Sequence, residues 1–586
     1  MTTTEQPDAG QRAEAALVHV GTLDELKGRQ PRVISAGGRT IVLFVHEEQV
    51  YALDNRCPHM GFPLSRGTVR DGILTCHWHH ARFDLAGGCT FDPFADDVPT
   101  FRVEVRDGEV YLEPRPVESD RRDHWLGKLD EGLEQNIRLV LAKSVIGLSE
   151  AEETGPILER AALFGASNRA TGWSAGMSIL TAMGNVLPVL EPADRPRALY
   201  HGLVHVASDT AGEPPDFDLK PLATSETRPD VYRAWFRRFI ETRSSEPAER
   251  CLRTALHIGV SQKEVAEMIF AACTDHLFLD EGHALDFANK AFELLDLIGW
   301  QHAEKILPSL IGPMVRATRM EETSAWQQPV DLPSLLQDVF GELDAAIEAG
   351  GERQSGWSGH RDLAEEILDG EPATTLEAML GAIREGAPLV ELSATVAYAA
   401  ARRPVHFHVS NEFGDWDTVH HTFTYTNAVD QAMRRAPSRA VVRGIFDGAI
   451  SVYIERFLNV PKQAIPEGNG TPASQEDLLA EFDRQQRVDE TAQVVASMLA
   501  DGRNQEVVSA LGHALLREDA GFHSFQIYEA TVRQYGNFRG RPEGDHILIG
   551  AARFLTAHAP TVRSVGQTYE IAARLHRGEA LHEEEA

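Results

Sequence analysis

The pattern of hydrophobic and polar positions changes once along the chain. Between residue 15 and about residue 113, apolar and polar residues alternate in short runs separated by glycine-bearing turns, which is typical of β-strands. Beyond about residue 129, apolar residues recur every three or four positions, as they do on the buried face of an amphipathic helix. The sequence therefore predicts a multidomain fold, with an N-terminal all-β domain followed by a large all-α domain.

This change of period sets the predicted domain boundaries. The segments are a disordered N-terminus at 1–14, the β domain at 15–113, a charged linker at 114–129 and the helical domain at 130–586. The predicted strands are the runs VHV, RVISA, TIVLFVH, VYALD, FRVEV and EVYLE. Faint similarities in the order A–B–B′–A′ divide the helical domain into halves of about 130–330 and 334–577. Either a duplication or two similar helical patterns explains them.

Composition narrows the classes of partner. The 586 residues contain 56 Lys and Arg against 88 Asp and Glu, so the net charge is −32. Such a charge repels phosphate backbones and anionic lipid, and we expect neither a nucleic-acid nor a membrane partner. No apolar run approaches the ~20 residues that span a bilayer, and the first residues lack the apolar region of a signal peptide. With five cysteines and no disulfide framework, the sequence predicts a cytoplasmic protein.

The chemistry of the β domain is concentrated in two short motifs. They are Cys57-Pro-His59 and Cys76-His-Trp-His79, with sixteen residues between His59 and Cys76. Two thiolates and two imidazoles suit an iron–sulfur cluster in which sulfur holds one iron and nitrogen the other. A Cys2His2 zinc site, or buried cysteines beside surface histidines, are the alternatives.

On these motifs the β domain resembles a Rieske [2Fe-2S] domain. The resemblance extends to Gly61, the Ala81-Arg-Phe-Asp-Leu-Ala-Gly-Gly stretch, Pro99 and the Asp107-Gly108 turn. It implies that Cys57 and Cys76 bind one iron of a [2Fe-2S] cluster, and that His59 and His79 bind the other.

The subtype follows from two aromatic residues. Phe62 and Trp78 stand where Rieske proteins of respiratory complexes carry an additional cysteine pair. The domain therefore resembles the ferredoxin and oxygenase type, which has no disulfide beside the cluster.

Five histidines of the helical domain are candidate ligands of a second metal, which we expect to be a non-haem iron. They are His201, His205, His283, His421 and His513. His201 and His205 are four residues apart on a predicted helix. In the faint repeat, His513 matches His201, and His283 matches either His420 or His421. Two histidines and one carboxylate with open positions form the ligand set of oxygen-activating iron. With 24 histidines in the chain, accidental spacing is the alternative.

Two further resemblances concern the helical domain. The stretch from Ala255 to Phe287 is similar to carboxymuconolactone decarboxylase-like proteins, without their Cys-x-x-Cys. The histidine-bearing helices resemble questin oxidase-like proteins. The D-x-x-H-x4-H signature of ring-hydroxylating oxygenases is missing, because no two histidines are five residues apart.

The leading functional hypothesis is an oxidoreductase, and more specifically an oxygenase whose [2Fe-2S] cluster passes electrons to a metal in the helical domain. No dinucleotide-binding glycine motif follows a strand, so we expect an external ferredoxin or flavin reductase as partner. The expected substrate is a small organic, aromatic molecule, and a homo-oligomer is left open. The main alternative is a non-catalytic electron carrier or redox sensor with helices that dock or dimerise. A metal-free reaction in the helical domain is the third hypothesis.

Overall fold

The structure is a computed structural model that describes residues 17–117, 121–149, 154–169, 171–351, 353, 356–579 and 581. The predicted disordered N-terminus lies outside these residues. The strands are β1 Val18–Thr22, β2 Arg32–Ala36, β3 Arg39–His46, β4 Gln49–Asp54, β5 Thr68–Arg70, β6 Ile73–Thr75, β7 Arg82–Asp84, β8 Thr100–Arg106 and β9 Glu109–Pro116.

The α-helices of the first half of the described chain are α1 Leu23–Gly28, α2 Arg121–Glu134, α3 Arg138–Ser149, α4 Thr154–Ser167, α5 Ala175–Val186, α6 Arg195–Asp209, α7 Pro229–Glu241, α8 Ser245–His257, α9 Gln262–Cys273, α10 His283–Ile298, α11 Ala303–Ile306, α12 Ile311–Arg316 and α13 Ser324–Gln327. Those of the second half are α14 Leu332–Gly351, α15 His360–Asp369, α16 Pro372–Arg384, α17 Leu389–Val405, α18 Phe413–Arg435, α19 Arg439–Ile454, α20 Gln475–Phe482, α21 Val488–Ala500, α22 Asn504–Leu516, α23 Phe522–Asn537, α24 Pro542–Ala557 and α25 Ser564–His576.

The β residues form two antiparallel sheets. The larger has the strand order β1-β9-β8-β4-β3-β2, and it contains all six strands that the sequence predicts. Tight turns close its hairpins, with Gly37 and Gly38 between β2 and β3 and Asp107-Gly108 between β8 and β9, all at positive φ. The predicted all-β domain is confirmed. The smaller sheet, β5-β6-β7, was not predicted, because strands of three residues are too short to show alternation.

The rest of the described chain is mostly helical, as predicted. Contacts divide the chain into two compact units: residues 1–152 together with 568–586, which we call the β unit, and residues 153–567, which we call the helical unit. In the described part of the chain, no helix is both long and apolar enough to cross a membrane.

Helices α2 and α3 of the β unit lie beyond the predicted β domain. α2 begins inside the segment that the sequence predicts as a linker. This helix was not predicted because its buried residues at helical spacing, Leu126, Leu129 and Leu133, lie among charged residues. α3 follows and buries almost its whole length. The folded unit around the two motifs is therefore larger than the β-strand pattern alone indicates.

Candidate metal centres

Two loops of the β unit bring the first set of ligand candidates together. Cys57 follows β4, where its N–H donates to the Phe62 carbonyl at 2.8 Å and its carbonyl accepts from the Gly61 N–H at 2.7 Å. The second loop follows β6, and it is closed by the Cys76 N–H donating to the Ala81 carbonyl at 2.9 Å. Gly61 has a φ of 79°, a conformation that favours glycine.

The two cysteines lie side by side in the hydrophobic core of the β unit. Each is 1% exposed, and their thiols are hydrogen-bonded to each other. This hydrogen bond lowers the pKa of Cys76 to about 6, while the same bond, together with burial, raises the pKa of Cys57. The pair thus holds a negative charge on sulfur, as a soft metal ligand requires.

The two histidines of the motifs are also neighbours. The ring centroids of His59 and His79 are 4.8 Å apart, and His59 also packs at 5.0 Å against Phe94. Burial, and then the neighbouring His79 and Lys143, lower the pKa of His59 to about 4. His59 Nδ1 is buried without a hydrogen-bond partner. A neutral imidazole with an unpartnered nitrogen beside two thiols fits a [2Fe-2S] cluster with mixed ligands.

A lysine from α3 reaches this site. Lys143 Nζ donates a hydrogen bond to the Pro58 carbonyl, between Cys57 and His59, and the lysine is 7% exposed. Burial lowers its pKa to about 8. The loop therefore has a cation against its backbone at neutral pH.

A second group of ligand candidates lies in the helical unit. His283 begins α10, His421 lies on α18 and His523 lies at the start of α23. Their candidate ligand atoms all lie within 4.8 Å of one another, and His421 Nε2 is 3.1 Å from His523 Nε2. Among the described residues, no other group of three or more His, Cys, Asp or Glu meets this criterion. We call these three residues the histidine cluster.

Two carboxylates contact the Nδ1 atoms of two histidines of the cluster. His523 Nδ1 is 3.0 Å from Asp417 Oδ1, and His421 Nδ1 is 3.2 Å from Glu281 Oε2. A carboxylate on one ring nitrogen leaves the other nitrogen free to bind a metal, and it fixes the orientation of the ring. Burial raises the pKa of Asp417, but its hydrogen bond with His523 and the nearby ring of His558, 3.8 Å away, outweigh burial and hold that pKa well below its usual range.

The low pKa values of the histidine cluster favour the binding of a cation. Burial lowers the pKa of His283 to about 4 and that of His421 to about 3, and the mutual proximity of the rings adds to both shifts. At neutral pH both imidazoles are deprotonated, which is the form that binds metal ions. Three histidines suit zinc as well as non-haem iron.

A cavity of about 320 Å³ adjoins the histidine cluster. His421, Asp417 and Glu281 form one part of its wall, and a mostly apolar surface forms the rest. The other lining residues are Phe278, Met320, Ala325, Trp326, Gly414, Thr418, Thr422, Ser451, Ile454 and Glu455. The cavity can admit a small ligand next to His421.

The comparisons with known proteins concern the β unit. Residues 16–102 match the family of the Rieske [2Fe-2S] domain. The ferredoxin component of the alkene monooxygenase system of Xanthobacter autotrophicus is 31% identical over 106 residues, which are 18% of this chain and 87% of that protein.

The chain belongs to the Rieske [2Fe-2S] family.

Other relatives match the same Rieske domain. Human apoptosis-inducing factor 3 is 33% identical over 100 residues, but this match spans only 16% of the length of that protein and 17% of this chain. Among solved structures, the ferredoxin of carbazole 1,9a-dioxygenase from Nocardioides aromaticivorans IC177 has 28% sequence identity to this chain. The match covers 17% of this chain and 98% of that chain, with a TM-score of 0.16.

The structure brings together two of the five histidines that the sequence predicts as metal ligands in the helical domain. His283 and His421 belong to the histidine cluster. His201 is instead buried with Nε2 3.1 Å from the Leu516 carbonyl, His205 packs its ring against Phe525, and His513 Nδ1 lies 2.9 Å from Asp194. These three histidines are outside the histidine cluster.

The sequence analysis did not select His523. The faint repeat points to His513, ten residues earlier, and only the tertiary structure shows that α23 presents His523 to α18. Asp417 is close to His523 in space but 106 residues away in sequence, so this contact produces no periodic pattern in the sequence. His420, the neighbour of His421, is fully buried and packs its ring 4.7 Å from that of His523.

Proposed function

We propose that this protein is an oxidoreductase in which a Rieske [2Fe-2S] cluster passes electrons to a non-haem iron held by the histidine cluster, and that the reaction is the oxygenation of a small organic substrate. The observation that carries the proposal is the geometry of His421 and His523. Their Nε2 atoms face each other at 3.1 Å while carboxylates hold both Nδ1 atoms. That arrangement is typical of metal-binding histidines.

Each centre has its own ligands. Cys57 and Cys76 would hold one iron of the [2Fe-2S] cluster, and His59 and His79 the other, with one-electron transfer as the chemistry that the cluster supplies. In the helical unit, His283, His421 and His523 would hold the second metal.

The remaining residues prepare the second site. Asp417 and Glu281 would keep the Nδ1 protons of His523 and His421, which would leave the Nε2 lone pairs for the metal. The adjoining cavity would admit the substrate and exclude bulk water with its apolar wall. Electrons would come from an external reductase. The similarity to the ferredoxin component of an alkene monooxygenase system supports an electron-transfer role of the cluster.

Metal and sulfide analysis tests the proposal. We expect about three irons and two acid-labile sulfides per chain, because a [2Fe-2S] cluster accounts for two of each. The His523→Gln variant should lose one iron and keep the Rieske EPR signal. His513→Gln is the matched control, since His513 also pairs Nδ1 with an aspartate and has nearly the same exposure, 29% against 27%.

Other metal contents would contradict the proposal. One zinc in place of the third iron would mean a hydrolytic or structural site. Equal iron loss in the His513 and His523 variants would remove the histidine cluster as the ligand set.

The alternative function is a non-catalytic electron carrier or redox sensor. It is favoured by the match to 87% of a ferredoxin component, a protein that consists almost entirely of this domain. Two irons per chain, and no oxygen uptake when the cluster is reduced, would support this alternative.

A further inference from the structure

The cavity beside the histidine cluster contains a carboxyl group that the proposed metal chemistry does not use. Glu455 follows the last turn of α19 and lines the cavity, and it is only 4% exposed. Its Oε1 accepts a hydrogen bond from the Thr422 hydroxyl. Its Oε2 is buried and has no hydrogen-bond partner. An unpaired polar atom in a buried wall costs free energy unless a ligand or water satisfies it.

The surroundings of Glu455 favour its neutral form. Burial raises the pKa of Glu455 to about 8, although the hydrogen bond from Thr422 and the charge of Arg403 act in the opposite direction. An ionised carboxylate without an ion-pair partner is expensive inside a protein, and protonation removes that cost. A protonated carboxyl group has one O–H to donate.

The rest of the wall is apolar or negatively charged, and it selects against anions. Phe278, Trp326 and Ile454 contribute apolar surface, and Trp326 is 2% exposed. The charged groups of the wall are the carboxylates Asp417 and Glu281, which would repel an anionic ligand. The cavity volume of about 320 Å³ is at the lower end of the ~300–1,000 Å³ that is usual for ligand pockets.

We propose that Glu455 is the specificity residue of this cavity, and that it donates a hydrogen bond to an oxygen acceptor on a small, uncharged and otherwise apolar ligand. The assignment of this ligand as the substrate rests on the proposed function, whereas its binding does not. The hydrogen bond would fix one end of the ligand at Glu455 and leave the other end toward His421. Thr422, next to His421 in sequence, orients the carboxyl group through its hydroxyl.

A series of ligands with one ring system tests this inference. We would titrate the full-length protein by calorimetry with 1-tetralone, tetralin, 1-aminotetralin and tetralin-1-carboxylate. These probes present a neutral acceptor, no acceptor, a cation and an anion, respectively. The wild type should bind 1-tetralone about three- to tenfold more tightly than tetralin, the range of one neutral hydrogen bond. The anion should bind most weakly.

Two variants assign the preference to one atom. Glu455→Gln keeps the size and a neutral donor, so the preference for the ketone over tetralin should remain within about twofold of the wild type. Glu455→Leu removes the donor, and the preference should disappear. Ser451→Ala is the control, because Ser451 also lines the cavity but its hydroxyl already donates to the Asp447 carbonyl at 2.9 Å.

The outcomes separate this inference from the proposed function. Equal binding of ketone and tetralin by the wild type would overturn the role of Glu455, even if Glu455→Leu does not fold. Tightest binding of 1-aminotetralin that is lost in Glu455→Leu would overturn it too, because the partner of the cation would then be an ionised Glu455 and not Asp417 or Glu281. Iron analysis is independent of these titrations. Loss of the third iron with the ketone preference intact would reject only the metal proposal.

Discussion

At the scale of single residues, the histidine cluster depends on carboxylates that do not themselves face the proposed metal. Asp417 lies one helical turn before His421 on α18, yet its hydrogen bond is to His523 on another helix. One aspartate therefore fixes a histidine from a distant part of the chain. The structure thus shows an orienting contact between two helices.

Replacing this aspartate should weaken metal binding without removing a ligand. In Asp417→Asn the affinity for Co²⁺, a spectroscopic substitute for iron, should fall by about 10–100-fold, the usual effect of losing such an orienting carboxylate. Titration monitored by visible absorbance measures it. Asp344→Asn, which alters an exposed partner of Arg439, is the control and should leave the affinity unchanged. An unaltered affinity in Asp417→Asn would refute the orienting role.

The buried histidines also predict a loss of stability in acid. His283 and His421 have folded-state pKa values of about 4 and about 3, below the ordinary 6.5, so the unfolded chain takes up more protons once the pH falls below about 6.5. The free energy of unfolding of metal-free protein should therefore decrease as the pH falls from about 6.5 to 4.

Denaturant unfolding at several pH values measures this loss. In a His283→Gln, His421→Gln double variant the decrease should be smaller, because two of the protonation sites are gone. A variant curve parallel to that of the wild type would assign the acid sensitivity to other groups.

At the scale of elements, helix α3 extends the Rieske domain beyond its strands. It places Lys143 on the carbonyl of Pro58, inside the first ligand motif. A positive charge stabilises the reduced cluster, which carries one more electron. The helix is therefore a source of electrostatic tuning that the Rieske motifs themselves do not contain.

Removing this charge should make the cluster harder to reduce. We expect Lys143→Met to lower the midpoint potential by about 60 mV or less, up to one tenfold change in the equilibrium for one electron. Spectroelectrochemistry at pH 7 measures it, with Lys27→Met on the exposed α1 as control. The difference from the wild type should shrink above pH 8, where Lys143 loses its proton. A midpoint potential that is unchanged at pH 7 would contradict this tuning.

At the scale of the whole molecule, the β unit is assembled from two distant parts of the sequence. Residues 568–586 belong to it together with residues 1–152. The terminal segment also lies close to the first ligand loop. A Cβ placed on Gly61 would lie 3.3 Å from Leu575 Cδ2, and a Cβ placed on Gly578 would lie 2.7 Å from Arg56 Nη1. The Rieske domain of this chain is therefore supported by residues outside the stretch 16–102 that matches the family.

Deleting residues 568–586 should destabilise the cluster. We expect the truncated protein to lose its Rieske absorbance faster on warming, because the ligand loop loses the packing of Leu575. A truncation that removes only residues 582–586 is the control. Equal rates of cluster loss in the two proteins would show that the terminal segment does not support the loop.

The amino-acid sequence by itself determined the division into a β and a helical part, the Rieske motifs and the class of cluster. The physical reason is that these features are local. Each motif places its cysteine and histidine within three residues of each other, and period-two and period-3.6 patterns are set by which face of an element is buried.

Only the tertiary structure decided which helical histidines converge. His421 and His523 are 102 residues apart in sequence, and His283 is on a third helix, so their proximity depends on how α10, α18 and α23 pack. The same holds for Glu455, whose neutral form depends on burial among residues from several helices. No periodic pattern carries that information, because it resides in contacts between elements rather than within them.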